Sequence, residues 1–95
     1  MKFIEFDKYI GNQLRAARVV RRISQEEMAK LISQKMKKQG YKKGIGRTGY
    51  AFYETGERSM PETIYSIACD ILNLDEDLLF DQALNSIRRN KHAGL

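Results

Sequence analysis

Apolar residues recur at spacings of three and four along much of the chain, which is the pattern of helices that bury one face. The first apolar stripe consists of Phe6, Ile10, Leu14 and Ala17. It predicts a helix that has Asp7 as its cap and ends near Arg22. Over so few residues, the segment from Phe3 to Phe6 fits either a short strand or the start of this helix.

A capping box marks the start of a second helix. Ser24 is followed three residues later by Glu27, so the hydroxyl and the carboxylate can each accept a hydrogen bond from a free amide. An apolar stripe follows at Met28, Ile32 and Met36. No Gly or Pro interrupts it before Gly40, so we expect the helix to reach about residue 38 or 39. Gly40 then takes the left-handed conformation after its end.

A third helix is expected from Arg47 to about Glu54, after a loop at residues 41–44 and with Ile45 returning to the core. Tyr50 and Tyr53 face inward in this helix. Gly49 in its interior costs roughly 1 kcal/mol relative to Ala. Packing of the two tyrosines must therefore hold the helix in place.

Two more helices complete the pattern. A second capping box, formed by Ser59 and Glu62, predicts the start of a fourth helix, and Asn73 is its expected C-cap. Asp75 is the expected cap of a fifth helix. The inward positions of the fourth helix are Ile64, Ile67, Ala68, Ile71 and Leu72. The fifth helix carries Leu78, Leu79 and Phe80, and an apolar stripe continues at Ala83, Leu84 and Ile87. Residues 88–95 are interpreted as a fraying basic tail.

Four motifs recur at characteristic spacing along the chain. They are Ile10-Gly11-x-x-Leu14-Arg15-x-x-Arg18, Ile23-Ser24-Gln25-Glu26-Glu27-Met28-Ala29, Tyr53-Glu54-x-Gly56-x-Arg58 and Ile67-Ala68-x-x-x-Leu72-x-Leu74. Together they resemble the XRE family of lambda Cro and cI type DNA-binding domains. The resemblance covers roughly residues 8–80, and the combined spacing is more specific than any single motif. It implies an all-α, five-helix lambda-repressor-like DNA-binding domain whose second and third helices form a helix-turn-helix.

The chain departs from that family between the second and third helices. Such turns normally have three to four residues, whereas residues 33–45 separate Ile32 from Gly46 here. We therefore expect an extended second helix and an inserted basic loop. Residues 1–95 are expected to form one helix-turn-helix domain, with a core at about residues 7–80 and a C-terminal extension and tail at residues 81–95.

Charge is divided unevenly along the chain. Residues 1–48 hold 13 Lys and Arg against four Asp and Glu, a net charge of +9. Residues 49–95 hold four against eight, a net charge of −4, and the two halves sum to the +5 of the whole chain. A basic half beside an acidic half is typical of a protein that presents one face to a polyanion, with a solvated charged surface as the alternative.

Composition argues against several other classes of protein. A single cysteine cannot form an internal disulfide, and with a single histidine it supplies no zinc-ligand set. Cys69 lies in an apolar helical run and is expected to be a buried packing residue, and His92 has no catalytic partners around it. We therefore expect no enzyme, cofactor or metal site. The apolar runs are too short to cross a membrane, and the acidic N-terminus does not resemble a signal peptide, which predicts a cytoplasmic protein.

The family places its third helix in the major groove, so the resemblance implies that the N-terminal residues and outward face of this helix read bases. These residues are Arg47, Thr48, Ala51 and Phe52. Arg47 can pair bidentately with guanine, and Thr48 can hydrogen-bond a base or a phosphate. Ala51 and Phe52 can only meet thymine methyl groups or sugars. An alternative for Phe52 is packing under the inserted loop, against Tyr41.

Gln25 matches the family position that binds a phosphate at the start of the second helix, where the free amides point the same way. The other candidate phosphate contacts are Arg15, Arg18, Thr55 and Arg58 and, in the insertion, Lys35, Lys38, Lys42 and Lys43. The insertion also contains Lys37 and holds no acidic residue. The candidates outside the insertion fit equally well as solvated surface residues. Glu54 is interpreted as a structural residue that holds the turn after the third helix.

These features predict a sequence-specific double-stranded DNA-binding transcription regulator, expected to be a repressor of a phage, plasmid or other mobile element. The alternative is a protein-interaction module, such as an antitoxin or an accessory factor of a conjugation or replication complex. We expect a homodimer, because one such domain reads too few base pairs to find a site in a genome. Its expected interface is the apolar stripe of Leu79, Phe80, Leu84 and Ile87, with the segment from Phe3 to Phe6 as the alternative.

Overall fold

Five helices make up the described part of the chain. The computed structural model describes the backbone of residues 4–93 and the side chains of residues 5–87. The helices are α1 (Ile4–Val20), α2 (Gln25–Lys38), α3 (Arg47–Thr55), α4 (Glu62–Leu72) and α5 (Glu76–Ala93). The prediction of an all-α protein with five helices is confirmed. Residues 4–6 are helical, so the strand alternative is wrong for them, and Phe3 lies outside the described residues.

One cluster of buried apolar side chains joins all five helices. Each helix contributes at least one side chain with no exposed surface, namely Leu14, Ile32, Tyr50, Leu72 and Ala83 in chain order. Tyr53 and Ile45 pack against this cluster while half-buried, which confirms that both face inward. The core therefore follows the apolar stripes of the sequence.

The second helix extends as its apolar stripe predicts. At its start the Glu27 amide donates to Ser24 Oγ over 3.0 Å, which is one half of the expected capping box. At its end Gly40 has φ of +96°, and the Tyr41 amide donates to the Met36 carbonyl over 3.0 Å. Met36 is 8% exposed, so burial of this side chain keeps the last turn of α2 on the core.

Two helix starts differ from the prediction, and the two side chains expected to cap them bind each other. Helix α1 begins at Ile4, so Asp7 lies in its first turn and is not its cap. The Asp7 carboxylate instead accepts a hydrogen bond of 2.6 Å from Ser59 Oγ. With that hydroxyl engaged, Pro61 occupies the cap position of α4, and no side-chain hydrogen bond caps that helix in the described part of the chain.

The remaining helix ends use the left-handed conformation or a carboxylate cap. After α1, Arg22 has φ of +57°, and the Ile23 amide donates to the Arg18 carbonyl over 3.1 Å. After α4, Asn73 has φ of +54°, as expected of its C-cap. Asp75 Oδ1 accepts hydrogen bonds from two amides at the start of α5, each of 3.1 Å, which confirms it as that helix's cap.

The inserted loop between α2 and α3 is fastened at both ends. Ser33 Oγ donates to the Ile45 carbonyl and accepts from the Ile45 amide, each over 3.0 Å. The Tyr41 hydroxyl lies 3.4 Å from Thr63 Oγ1 on α4. Because Ile45 is held on α2, the chain enters α3 directly beside the end of the loop. The loop thus places its lysines next to the start of α3.

Helix α5 packs along α1 and continues beyond the core. Phe6 and Phe80 meet edge to face with ring centroids 5.1 Å apart, while Phe80 remains 45% exposed and Leu78 54% exposed. The backbone of residues 88–93 is helical and continues α5, and the prediction of a fraying tail stays a prediction. Their side chains, including that of His92, and residues 94–95 lie outside the description. No helix within residues 4–93 has both the length and the apolarity needed to cross a membrane.

Candidate nucleic-acid interface

A buried ion pair ties together the three helices that would form the interface. Arg18 Nε lies 2.6 Å from Glu54 Oε2, and Arg18 Nη2 donates to Glu54 Oε1 over 3.0 Å. Gln25 Nε2 donates to the same Oε1 over 3.2 Å. Since Arg18 lies on α1, Gln25 on α2 and Glu54 on α3, one carboxylate fixes the position of α3 against both other helices.

Both members of this pair stay charged near neutral pH. Burial on its own would raise the pKa of Glu54, but hydrogen bonds from Arg18 and Gln25 outweigh it, so the pKa is lowered from its ordinary value. The hydrogen bond to Glu54 raises the pKa of Arg18 despite the opposing effect of burial. Tyr50, directly inside the pair, is fully buried, and its hydroxyl has no hydrogen-bond partner among the described residues.

Arg18 is therefore not available to a phosphate, which corrects its assignment from the sequence. Its side chain is 10% exposed, and its third nitrogen, Nη1, donates to the Ile23 carbonyl over 2.7 Å. The sequence did contain a signal for this burial. Arg18 lies four residues after Leu14, and Glu54 lies four residues after Tyr50, so each charge continues an inward stripe. Two opposite charges at inward positions predict a pair.

The outward side of α3 presents the four predicted base-contacting residues together. Arg47 and Thr48 are exposed, and Ala51 and Phe52 are partly exposed one turn later. Gly46 is the N-cap and offers no side chain to the first-turn amides. These amides consequently have neither intrahelical partners nor a capping hydroxyl, and they face the same end of the helix as Arg47. The start of α3 is thus chemically suited to an anion.

Phe52 is covered by an arginine from the turn after α3. The guanidinium carbon of Arg58 lies 4.7 Å from the centre of the Phe52 ring, and the Arg58 amide donates to the Phe52 carbonyl over 3.2 Å. Arg58 is exposed, so its guanidinium can bind an anion while it lies over the ring. The Tyr41 hydroxyl, the expected alternative neighbour of Phe52, lies beside Thr63 on α4.

The candidate phosphate contacts divide into free and engaged side chains. Arg15, Lys38, Lys42 and Lys43 are exposed. Lys35 Nζ lies 2.5 Å from Asp70 Oδ2, in a pair whose side chains are 43% and 70% exposed. Such an exposed pair is weak and can exchange for a phosphate. Thr55 Oγ1 donates to the Phe52 carbonyl over 3.1 Å, so its hydroxyl proton is already used. Gln25 spends one of its two amide protons on Glu54 and retains the other.

The part of the sequence that lacks acidic residues is longer than the insertion. Between residues 28 and 53 the chain has no Asp or Glu, and we call this stretch the basic segment. Its cations are Lys30, Lys35, Lys37, Lys38, Lys42, Lys43 and Arg47. It covers most of α2, the inserted loop and nearly all of α3, and of its cations Lys35 is paired with Asp70 of α4. Glu54, the first acid after it, is buried in the ion pair.

The described part of the chain offers little to a catalytic interpretation. Cys69 is 1% exposed, and burial raises the pKa of its thiol to about 11, which confirms it as a packing residue. No group of three or more His, Cys, Asp or Glu in this part of the chain is arranged to hold a metal ion. Comparisons with protein-family models, curated proteins and solved structures found no match, so an inference about function depends on this sequence and this geometry.

Proposed function

We propose that this protein is a sequence-specific transcription regulator that binds double-stranded DNA, with the XRE-type, lambda-repressor-like fold that its motifs imply. The basic segment is the observation that carries the proposal. This segment holds seven cations and no acid, and it includes most of α3, whose outward side carries Arg47 and Thr48. A duplex, with its dense and regular negative charge, is the partner that such a surface fits. A repressor carried by a phage, plasmid or other mobile element is the form we expect.

In this proposal α3 enters the major groove with its N-terminus first. Arg47 forms two hydrogen bonds to a guanine, and Thr48 bonds a neighbouring base or phosphate. Ala51 and the open edge of the Phe52 ring meet thymine methyl groups. Arg58, held against Phe52 at 4.7 Å, directs its guanidinium edge to a phosphate beside the groove.

Backbone contacts flank this helix on two sides. Gln25 and the first amides of α2 bind one phosphate, with the side chain oriented by its bond of 3.2 Å to Glu54. Lys38, Lys42 and Lys43 reach phosphates beyond the usual footprint of such a domain. The two hydrogen bonds between Ser33 and Ile45 fix the end of the loop. The loop lysines therefore lose less conformational freedom on binding than lysines on an unattached loop would lose.

The salt dependence of binding to a random-sequence duplex tests the proposal. Each phosphate contact contributes about 0.9 to the slope of log K against log salt. The double variant Lys42→Ala with Lys43→Ala should therefore flatten the slope by about 1.8. Lys42→Arg with Lys43→Arg is the matched control, because it keeps both charges and should keep the slope.

Fluorescence anisotropy of a labelled duplex across a range of salt concentrations supplies the measurement. Equal slopes for the alanine and arginine variants would remove the loop from the DNA interface. Absence of any salt-dependent binding by the unchanged protein would overturn the proposal and favour the protein-interaction module.

We also propose that the regulator acts as a homodimer through α5. Leu79, one of the residues expected at the interface, is 6% exposed and packs in the core, so it is not available to a second chain. Phe80 and its neighbour Leu78 are exposed, and Leu84 and Ile87 are half-buried. Phe6 and Phe80 pack on each other within one chain, so the proposed contact between the two chains is centred on Leu84 and Ile87, one and two turns further along α5. Light scattering at micromolar protein should give a dimer that Leu84→Asp with Ile87→Asp converts to a monomer. The exposed neighbour change Asn85→Asp is the control, and a monomeric unchanged protein would contradict the dimer.

A further inference from the structure

An aromatic-lined cleft lies at the end of the molecule formed by the start of α1, the connection from α3 to α4 and the start of α5. Its volume is about 360 Å³, within the range of roughly 300–1,000 Å³ that is usual for small-molecule pockets. Its apolar walls are Phe6, Ile10, Tyr53, Met60, Tyr65 and Phe80. The T-shaped contact of Phe6 and Phe80 shapes one wall, and the Tyr65 hydroxyl, donating to the Glu76 carbonyl over 2.6 Å, fixes another.

The cleft is acidic although the protein carries a net charge of +5. Four carboxylates, on Asp7, Glu62, Glu76 and Asp77, line it together with one cation, Arg58. Two of these carboxylates are oriented by hydroxyl groups, since Ser59 donates to Asp7 over 2.6 Å and Ser66 donates to Glu76. A ligand in this cleft therefore meets ring faces and a net negative charge at the same time.

We propose that this cleft binds a small organic cation, meaning an amine or ammonium ion attached to an aromatic or branched aliphatic body. The rings bury the body of the ligand and attract its charge through their negative faces. The carboxylates complement the charge of the ligand and exclude anions. An uncharged ligand gains only the apolar contact, so discrimination by charge is the signature of the site.

The cleft also touches the proposed DNA interface. Arg58 lines the cleft and lies over Phe52, and Tyr53 belongs to α3 itself. A cationic ligand repels Arg58 and thereby changes the stack on Phe52. Occupancy of the cleft thus alters the affinity for DNA, and by linkage DNA alters the affinity for the ligand by the same factor. This coupling rests on the proposed function, whereas ligand binding itself does not.

Three probes with one aromatic body and different head groups test the site without DNA. They are 4-phenylbutylamine, 4-phenylbutan-1-ol and 4-phenylbutyrate, each titrated into the ¹⁵N-labelled full chain and followed by amide chemical shifts. The amine should give saturable shifts at the amides of Tyr53, Tyr65 and Phe80, with an affinity at least about fivefold above that of the alcohol. The carboxylate should give none. Equal affinity for the amine and the alcohol would overturn the proposal.

Charge-neutralising variants locate the binding site. Glu62→Gln with Asp77→Asn removes two exposed lining carboxylates and should weaken the amine roughly fivefold. Asp81→Asn is the matched control, because Asp81 is exposed one turn further along α5 and does not line the cleft. Equal affinities of the two variants would place the amine elsewhere and overturn the site. If the amide chemical shifts of the cleft residues changed when the protein was concentrated without ligand, a second copy of the chain would occupy the cleft. That result would also overturn the proposed ligand site.

The DNA coupling is measured separately, as the ratio of duplex affinities with and without saturating 4-phenylbutylamine. A ratio of at least threefold that disappears in Glu62→Gln with Asp77→Asn supports the coupling. Amine binding without DNA binding would refute the proposed function and leave the site intact. DNA binding without amine binding would refute the site and leave the proposed function intact.

Discussion

Replacing Arg18 should destabilise the protein far more than replacing an exposed arginine would. Glu54 is 3% exposed in the unchanged protein, and in Arg18→Met its carboxylate would keep only Gln25, at 3.2 Å, as a bonded partner. Breaking a buried ion pair from one side costs about 3–5 kcal/mol, because a charge is left without compensation in a low-dielectric surrounding. A domain of this kind has about 5–15 kcal/mol of stability in total, so the loss takes a large share.

The double variant Arg18→Met with Glu54→Leu separates the charge from the packing. Both charges are absent, so their desolvation penalty is absent too, and we expect a loss of at most about 2 kcal/mol. The remaining loss of stability comes from the Ile23 carbonyl and the Gln25 amide, because each of them loses one hydrogen bond. A coupling energy of at least about 2 kcal/mol between the two positions should result.

Urea unfolding followed by far-UV circular dichroism at pH 7 measures these differences. With a slope of about 1–3 kcal/mol per molar urea, Arg18→Met should lower the midpoint by at least about 1 M. Lys35→Met with Asp70→Leu is the matched control, since that pair is exposed and should change stability by less than about 1 kcal/mol. If Arg18→Met lost DNA affinity at unchanged stability, Arg18 would be a phosphate contact after all, and the reasoning from the ion pair would be refuted.

Three further predictions concern stability. Gly11→Ala should destabilise the protein by about 1–3 kcal/mol in thermal unfolding, because the new Cβ would lie 2.2 Å from the Glu54 carbonyl oxygen. Gly49→Ala is its control and should not destabilise the protein, because no described atom lies within 4 Å of the new Cβ. Arg22→Gly should stabilise the protein by about 1 kcal/mol, because Arg22 has φ of +57°. Asn73→Gly should stabilise it less, because Asn tolerates the left-handed conformation better than Arg. A less stable Arg22→Gly variant would contradict this prediction. The pKa of Glu54 is lowered in the folded state, so the ionised carboxylate stabilises the fold. This contribution to the free energy of unfolding is fully present above the usual Glu pKa of about 4.3 and is lost as the pH falls through the folded-state pKa. Below pH 4 the unchanged protein should therefore lose stability more steeply than Glu54→Gln.

The helices could be predicted because their causes are local. The extension of α2 follows from Met36, which continues the buried stripe, and from Gly40, which permits the left-handed turn after it. Ser24 and Asp75 cap helices within their own segments, over contacts of about three residues. A pattern read along the chain contains all of this information.

The features that were missed depend on partners distant in sequence. Ser59 was expected to cap α4, but its hydroxyl bonds Asp7, 52 residues away. Arg18 was expected to face solvent, but it finds Glu54, 36 residues away, across the packing of α1 and α3. The acidic cleft likewise joins carboxylates from α1, α4 and α5. Spacing can indicate that Arg18 and Glu54 both face inward, but it does not give the angles between helices, so the partners of surface groups such as Asp7 cannot be assigned from it.

The placement of α3 in the major groove is the central claim, and sequence selection from a random duplex library tests it most directly. The unchanged protein should enrich one motif, with two half-sites about one helical turn apart if it acts as a dimer. Arg47→Ala should lose preference at one position per half-site, at a cost of about 1–3 kcal/mol, while Gln25→Ala should weaken all sequences alike. Enrichment of no motif, or equal loss of specific and random binding in both variants, would contradict the claim.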